Sequence, residues 1–307
     1  MRKLRYHLVD VFTDRQFGGN PLAVYTDGDG LDARTMQRIA GEMNLSETTF
    51  VLPPEDSAND FRVRIFTPAS ELPMAGHPTV GTIYVLARER MVAPPEGGGA
   101  TSTIRLEEGV GPVPVEISWE GGACGFAEMT QPPPDFGPTF DDRAALAAML
   151  SLDSSQIDAR LPAQVVSCGV PFLFVPLAGL AAARDCKPRA DLMERHLTGF
   201  AATGVFVFTT ETEFPGSGVH SRMFAPLEGI LEDPATGGAS GPLGCYLVRH
   251  GVVASNGRLE ITSEQGVEMG RPSFIRIRID HDSEHVTRVR VGGRCRYMGG
   301  GHLELEQ

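Results

Sequence analysis

The sequence predicts an α+β protein of two pseudo-symmetric halves, each an antiparallel, barrel-like sheet around a central helix. Three observations support this prediction: a set of segments recurs along the chain, two predicted helices carry no charge, and several short runs alternate apolar and polar residues as strands do. Residues 78–87 and 239–248 contain no charged side chain, and a helix that is apolar on every side is buried on every side. We therefore expect each of these helices to be enclosed by its own sheet.

The internal repeat is the strongest of these observations. The first matching pair is separated by 158 residues, and the next two pairs, in the same chain order, are both separated by 161 residues. The pairs are Arg64–Pro68 with Arg222–Pro226, Glu71–Gly76 with Glu232–Gly237, and Tyr84–Arg88 with Cys245–Arg249. Duplication of one structural unit explains this order. The alternative is a coincidence of two Pro/Gly turns that each precede a helix.

The first part of the chain is predicted to form strands with one helix. Asp32 is suited to the N-cap of that helix, and the apolar residues that follow it recur at helical spacing from Met36 to Met43. Strands are predicted at residues 6–12, 21–25, 48–52 and 61–66, and the alternating run 259–291 predicts further antiparallel strands.

The length of 307 residues fits two domains. We place them at residues 1–130 and 131–307, joined by the proline-rich segment 131–138, and leave open that the last strand returns to the first domain. The net charge of −12 argues against nucleic acid or an anionic membrane as the partner. It leaves room for a small anionic ligand, which needs only local hydrogen-bond donors.

The sequence shows no signal segment, no membrane-spanning segment and no metal-binding pattern of cysteines, and these absences predict a cytoplasmic protein. The basic start of the chain is not followed by an apolar signal segment. The most apolar stretch, residues 168–183, is interrupted by Pro171 and Pro176 and is too short for a membrane span. The five cysteines show no metal-binding spacing. His281 and His285 are four residues apart, but their charged surroundings favour a solvated turn over a metal site.

Two glycine-rich turns precede the charge-free helices. Residues 75–78 and 235–239 lie where the first N–H groups of each helix are unpaired and the helix dipole is positive. Such helix starts bind anions. If the two turns face one another across a pseudo-twofold interface, they can hold a carboxylate between them. The simpler alternative is ordinary capping of two core helices.

Three titratable residues lie at or near these turns. His77 at a helix start favours the neutral imidazole, which can move a proton, although a packed or capping histidine is the alternative. Asp233 can act in catalysis or cap the helix that follows it. Glu47, between a helix end and a strand, is either a solvated turn residue or, if buried, a general acid/base.

Five motifs in this chain resemble those of the PhzF family, which is named for the phenazine-biosynthesis isomerase. They are Val9–Thr13, Phe17–Pro21, Asn44–Phe50, Ala75–Pro78 and Glu232–Gly237, and they span nearly the whole chain. The resemblance implies the diaminopimelate-epimerase-like fold with the active site between its halves. It also implies an enzyme without cofactor or metal, commonly a homodimer. The type member isomerises trans-2,3-dihydro-3-hydroxyanthranilate by moving a proton around its ring.

The resemblance also implies roles for individual residues. Glu47 matches the general acid/base that removes and redelivers the ring proton, and His77 and Asp233 match polar groups that position the substrate and assist proton transfer. The backbone implied to hold the substrate carboxylate is that of Gly76, Thr236, Gly237 and Gly238. Gly238 stands where the family usually has serine, which puts the type member's own substrate in doubt.

The leading hypothesis is therefore a PhzF-type isomerase that moves a proton within a small cyclic carboxylate. Racemases and epimerases of this fold use one cysteine on each turn, but Ala75 and Pro234 occupy those places here, which excludes two-cysteine chemistry. Two alternatives stay open: an epimerase or related enzyme that uses Glu47 on an amino-acid-like substrate, and a non-catalytic protein that binds small carboxylates.

Overall fold

The computed structural model describes residues 1–96, 99–282 and 285–306, so Gln307, at the end of the second predicted domain, lies outside the described residues. The strands are β1 Arg2–Val11, β2 Asn20–Tyr25, β3 Glu47–Leu52, β4 Phe61–Phe66, β5 Glu71–Leu72, β6 Thr101–Glu108, β7 Gly111–Glu120, β8 Ala123–Gln131, β9 Asp135–Thr139, β10 Gln164–Ser167, β11 Pro171–Pro176, β12 Gly204–Thr209, β13 Val219–Ala225, β14 Ile230–Asp233, β15 Arg258–Gln265, β16 Ser273–His281, β17 Val286–Gly293 and β18 Cys295–Leu305. The helices are α1 Ala33–Met43, α2 Gly76–Arg88, α3 Arg143–Leu150, α4 Leu180–Asp185, α5 Ala190–Leu197 and α6 Gly237–Arg249.

The chain divides into two compact units, the first formed by Met1–Thr130 with Gly292–Gln307 and the second by Gln131–Val291. In the first unit the strands pair in the order β18-β1-β2-β3-β4-β6-β7-β8, with β5 also on β4. Helix α2 packs against β1, β2 and β3, and eleven of its residues are buried. The last strand, β18, thus belongs to the first unit.

The second unit repeats this arrangement. Its strands pair in the order β9-β10-β11-β12-β13-β15-β16, with β14 also on β13. Helix α6 packs against β10, β11, β15 and β16, and its Leu243, Tyr246 and Leu247 lie in the apolar core. The predicted class, α+β in two similar halves that each wrap a sheet around one helix, is confirmed.

The sheets are mixed, whereas the sequence predicted antiparallel sheets. Each unit contains two parallel pairs, β2 with β3 and β4 with β6 in the first unit, and β11 with β12 and β13 with β15 in the second. Parallel neighbours need a crossover connection. The crossovers here contain α1 and α2 in the first unit, and α4, α5 and α6 in the second.

The predicted helix after Asp32 is present as α1. The Asp32 carboxylate accepts a hydrogen bond from the Thr35 N–H at 2.7 Å, which satisfies one of the unpaired donors of the first turn. Asn44 closes the helix in the left-handed conformation with φ 50°, which asparagine tolerates better than most residues. The predicted apolar stripe is buried at Met36, Ile39 and Ala40.

The two central helices start earlier than the sequence predicted. Helix α2 begins at Gly76 and α6 at Gly237, so Pro78 is the third helical residue and not the first. A proline is still tolerated there, because N–H groups in the first turn have no partner within the helix. This shift places His77 inside the first turn of α2.

The linker predicted at residues 131–138 is largely a strand. Residues 135–139 form β9, which pairs with β10 through Phe136 opposite Val166. Pro138 lies next to a register shift in this pair, and such irregularities accommodate a residue without an N–H donor. Only residues 132–134 are irregular.

All five cysteines lie within the described residues, and none of them forms a disulfide bond. Among the described residues, no helix combines the length and the apolar character that a membrane-spanning segment requires.

A substitution at Gly81 tests how closely α2 packs against the strands of the first unit. A Cβ at Gly81 would lie 2.6 Å from Val11 Cγ2 and Leu22 Cδ2, so we expect Gly81→Ala to lower the free energy of unfolding by about 1–3 kcal/mol. Gly41 in α1 is a matched control, because a Cβ there meets no heavy atom closer than 3.8 Å. Gly41→Ala should raise stability by about 0.5–1 kcal/mol. Denaturant unfolding measures both, and equal effects would contradict the packing described.

Candidate active site

The structure brings Glu47 and His77 together within the first unit. Glu47 is the first residue of β3 and is 8% exposed, and His77 is the second residue of α2 and is 3% exposed. His77 Nε2 lies 3.1 Å from Glu47 Oε2. The N–H is not aligned with the oxygen as in an ideal hydrogen bond, a geometry common in catalytic sites that have no substrate bound. Because Glu47 is buried, it is not a solvated turn residue.

Asn20 determines which nitrogen of His77 carries the proton. The Asn20 Nδ2 lies 3.1 Å from His77 Nδ1. An amide nitrogen can only donate, so Nδ1 must accept and the ring hydrogen of a neutral imidazole lies on Nε2. Nε2 is the ring nitrogen that lies next to the Glu47 carboxyl group. Asn20 lies within the motif Phe17–Pro21 but was not singled out as a site residue from the sequence.

His77 stays neutral over the physiological pH range. Burial lowers the pKa of His77 from its ordinary 6.5 to about 3, because a charged imidazole loses its hydration inside the protein. The positive end of the α2 dipole acts in the same direction. Glu47 is therefore in contact with a polar N–H group and not with a cation.

The start of α2 leaves backbone donors beside this pair. Its N-cap is Ala75, in an extended conformation with no side-chain hydrogen bond to the helix. The N–H groups of the first turn, which begins at Gly76, therefore have no side-chain cap at this position. Helix starts without such a cap can bind an anion, and the role expected for Gly76 stays a prediction.

In the second unit, Asp233 and the start of α6 form a buried hydrogen-bond network. Asp233, the last residue of β14, is 4% exposed, and its Oδ2 accepts a hydrogen bond from Thr236 Oγ1 at 2.6 Å. Gln265 Oε1 accepts from the Thr236 N–H at 3.0 Å, and Gln265 Nε2 donates to the Asp233 carbonyl at 2.8 Å. Gln265 thus ties the end of β15 to this turn.

This network changes one expectation about the backbone donors. The Thr236 N–H was expected to help hold a substrate carboxylate, but it donates to Gln265. The expectation therefore rests on Gly237 and Gly238, the first two residues of α6. Gln265 itself was missed by the sequence analysis, because nothing in its local sequence indicates which turn its strand ends beneath.

Three of the cysteines, Cys168, Cys186 and Cys245, lie in the apolar clusters of the second unit. Cys245 is fully buried in the apolar core of the second unit, and the turn positions hold Ala75 and Pro234. Burial raises the pKa of Cys186, another core thiol, to about 12, which suppresses its thiolate form.

His281 is the last residue of β16, and His285 directly precedes β17. His281 Nε2 lies 2.9 Å from Ser255 Oγ, and the His285 N–H donates to Asp282 Oδ1 at 2.7 Å. Within residues 1–96, 99–282 and 285–306, no three His, Cys, Asp or Glu side chains are grouped as a metal site requires.

The pKa of His77 predicts how stability depends on pH. The unfolded imidazole takes up a proton near pH 6.5, whereas the folded one does so only near pH 3, so the free energy of unfolding falls as the pH falls below 6.5. His77→Gln keeps an N–H donor and removes the titration. We expect the stability difference between wild type and this variant to shift in favour of the variant by about 1.4 kcal/mol per pH unit below pH 6.5. Urea unfolding from pH 7 to pH 5 measures it, and parallel curves would contradict a neutral His77.

Comparison with known proteins shows extensive similarity to one family. The family model named PhzC-PhzF, described as phenazine biosynthesis-like protein, matches residues 9–300. The trans-2,3-dihydro-3-hydroxyanthranilate isomerase of Pseudomonas aeruginosa is 39% identical over 303 residues, which cover 98% of this chain and 99% of the relative. The enzyme of the same name from Pseudomonas chlororaphis is 37% identical over 302 residues, which cover 98% and 99% of the two chains.

Solved structures show the same fold. The PhzF-family phenazine biosynthesis protein of Bacillus anthracis superimposes with a TM-score of 0.89 at 29% identity, covering 99% of this chain and 100% of the other. A hydroxyproline epimerase from Agrobacterium vitis superimposes with a TM-score of 0.68, covering 99% of this chain and 91% of the other. That epimerase is only 14% identical, so the likeness extends to the fold alone.

Proposed function

This chain belongs to the PhzC-PhzF family of phenazine biosynthesis-like proteins and is an isomerase, and we propose that it moves a proton within a small cyclic carboxylate by general acid–base catalysis from Glu47. The observation that supports this proposal most is the buried contact between Glu47 and the neutral His77. It places one proton acceptor and one N–H donor side by side in a buried site.

The proposed reaction proceeds in two proton transfers. The Glu47 carboxylate removes a proton from a ring carbon of the substrate, and the electron pair of that C–H bond moves into the ring as the double bonds shift. The resulting Glu47 carboxylic acid then returns a proton to a different ring carbon. The substrate gains and loses no electrons overall, so the chemistry requires no redox partner. Well-placed acid–base catalysis of this kind accelerates a reaction by about 10²–10⁴-fold.

The role proposed for His77 follows from its charge state. A neutral Nε2–H can stabilise the Glu47 carboxylate without protonating it, whereas an imidazolium would hold the carboxylate in a strong ion pair and weaken it as a base. His77 therefore orients Glu47 and takes part in proton transfer as a hydrogen-bond donor. Asn20 supports this role because it keeps Nδ1 as the acceptor.

Substrate binding is proposed to use the start of a central helix. The N–H groups of Gly76 in the first unit, and those of Gly237 and Gly238 in the second, are the candidates for binding a carboxylate, since helix starts favour anions. Asp233 is proposed to position a polar substituent of the ring, with its carboxyl oriented by Thr236. No hydroxyl is present at Gly238, so a substrate that differs from trans-2,3-dihydro-3-hydroxyanthranilate near this position fits the proposal.

Two other expectations stay predictions. The cytoplasmic location and the homodimeric state rest on the sequence alone.

Proton NMR in D₂O distinguishes the two alternative functions. These are an epimerase that acts on an amino-acid-like substrate and a non-catalytic protein that binds carboxylates. Deuterium exchange at a stereocentre without a double-bond shift would indicate an epimerase, and binding without exchange would indicate a carboxylate binder.

Glu47→Gln tests the catalytic assignment. Gln has nearly the same shape but cannot accept and return the proton, so we expect kcat to fall by about 10²–10⁴-fold while substrate affinity changes little. Turnover of trans-2,3-dihydro-3-hydroxyanthranilate and related cyclic carboxylates is followed by absorbance, and affinity by calorimetry. Glu42, an exposed carboxylate in α1, provides the matched control, and Glu42→Gln should leave kcat unchanged. A Glu47→Gln variant with full turnover would refute the assignment.

A further inference from the structure

Strands β6 and β15 end at equivalent places in the two units, directly beneath the turns that start α2 and α6. They end at Glu108 and Gln265, and each is followed by a glycine that packs against the proline of the turn. A Cβ at Gly109 would lie 2.7 Å from Pro73 Cα, and one at Gly266 would lie 2.5 Å from the Pro234 carbonyl oxygen. Glu108 and Gln265 are therefore counterparts in the repeated fold.

The two counterparts contact their turns through similar groups. In the second unit, Gln265 bonds to the Thr236 N–H and hydroxyl, and Ser240 Oγ donates to the Thr236 carbonyl at 2.9 Å. In the first unit, Thr79 Oγ1 lies 2.6 Å from the Ala75 carbonyl oxygen and 2.6 Å from Glu108 Oε1. The residue at the strand end is a neutral amide in one unit and a carboxyl group in the other.

Hydrogen counting at Thr79 indicates the state of this carboxyl group. The Thr79 hydroxyl has one hydrogen, and both of its close neighbours are oxygens. The Ala75 carbonyl oxygen can only accept, so the hydroxyl hydrogen satisfies that contact. A carboxylic acid at Glu108 supplies a hydrogen of its own for the second contact, whereas a carboxylate would leave the two contacts to share a single hydrogen.

The surroundings of Glu108 favour the same state. Glu108 is 6% exposed, and its Oε2 is buried without a hydrogen-bond partner among the described residues. Burial raises the pKa of Glu108 to about 8. The charged groups that line the adjacent cleft of β4, β5 and β6 are Glu55, Arg62, Arg64, Glu71 and Glu107.

Those charges are engaged with one another. Arg64 pairs with Glu71 at 2.7 Å, Arg62 pairs with Glu55, and Glu107 accepts a hydrogen bond from the Asp56 N–H at 3.0 Å. In the described part of the chain, neither arginine lies within ion-pair distance of Glu108. Neither Arg62 nor Arg64 therefore compensates a negative charge on Glu108.

We infer that Glu108 is a positioning residue in the carboxylic acid form. It donates a hydrogen bond to the Thr79 hydroxyl, and this hydroxyl donates to the Ala75 carbonyl. The two hydrogen bonds fix the turn that carries His77. Glu108 does in the first unit what the amide of Gln265 does in the second. Its effect on catalysis rests on the proposed function, whereas its effects on stability and on the state of His77 do not.

Unfolding measurements on Glu108→Gln test the carboxylic acid directly. The unfolded glutamate ionises near pH 4.5 and the folded one only near pH 8, so wild-type stability falls over this interval as the pH rises. Gln cannot ionise, so the ratio of unfolding equilibrium constants, wild type to variant, should rise about tenfold per pH unit up to about pH 8 and then level off. Glu116→Gln, an exposed carboxylate on β7, should run parallel to wild type. Parallel curves for Glu108→Gln would overturn the inference.

The positioning role of Glu108 is tested separately by the NMR signals of the His77 ring. In wild type, histidine NMR signals of His77 should shift with a midpoint near the pKa of Glu108, about 8, although the His77 ring itself does not titrate there. In Glu108→Gln this shift should be absent. A His77 signal that is independent of pH in wild type would overturn the positioning role even if the stability result holds.

Activity then separates positioning from space filling. Glu108→Leu fills the same volume without a donor, and we expect it to lower kcat by about tenfold to a hundredfold with little change in KM, whereas Glu108→Gln restores turnover. Equal turnover in the two variants would overturn the inference. If wild type itself turns over no cyclic carboxylate, the proposed function fails, and the stability and NMR results still decide the state of Glu108.

Discussion

The contact between the neutral imidazole of His77 and the carboxyl group of Glu47 is the interaction on which the proposed chemistry depends. Burial lowers the pKa of His77 far enough to keep the ring uncharged, and Asn20 selects the tautomer that places the hydrogen on Nε2. A carboxylate next to an N–H dipole remains basic enough to remove a proton from carbon, and it can return that proton because no strong ion pair holds it. The proposed site is thus suited to moving a proton and not to stabilising a fixed charge.

The repeated fold is compatible with the proposed binding of an anion by a protein with a net charge of −12. Each unit buries a helix that carries almost no charge, and the start of each helix presents backbone donors at the end of the sheet. The strand-end residues Glu108 and Gln265 stabilise these turns from beneath, one as a proposed carboxylic acid and the other as an amide. In this proposal local dipoles decide what binds, while the overall charge describes the surface.

Local sequence signals predicted some features and not others. Helix α1 was predicted correctly, because its cap at Asp32 and its apolar stripe are encoded within a dozen residues. The parallel strand pairs were missed, because crossovers and not local patterns set the direction of neighbouring strands. Asn20 and Gln265 were missed for a related reason: their roles depend on which turn lies above them in the fold. Glu47 and His77 were identified by motif, but only the structure shows their contact.

The most direct test of this account is the protonation state of His77 at neutral pH, measured by ¹⁵N NMR of histidine-labelled protein. The signal is assigned by its loss in His77→Gln. From the contacts of His77 with Asn20 and Glu47 we expect a neutral ring with its hydrogen on Nε2 and an unprotonated Nδ1. A cationic ring, or a neutral ring with its hydrogen on Nδ1, would contradict the proposed arrangement of Asn20, His77 and Glu47.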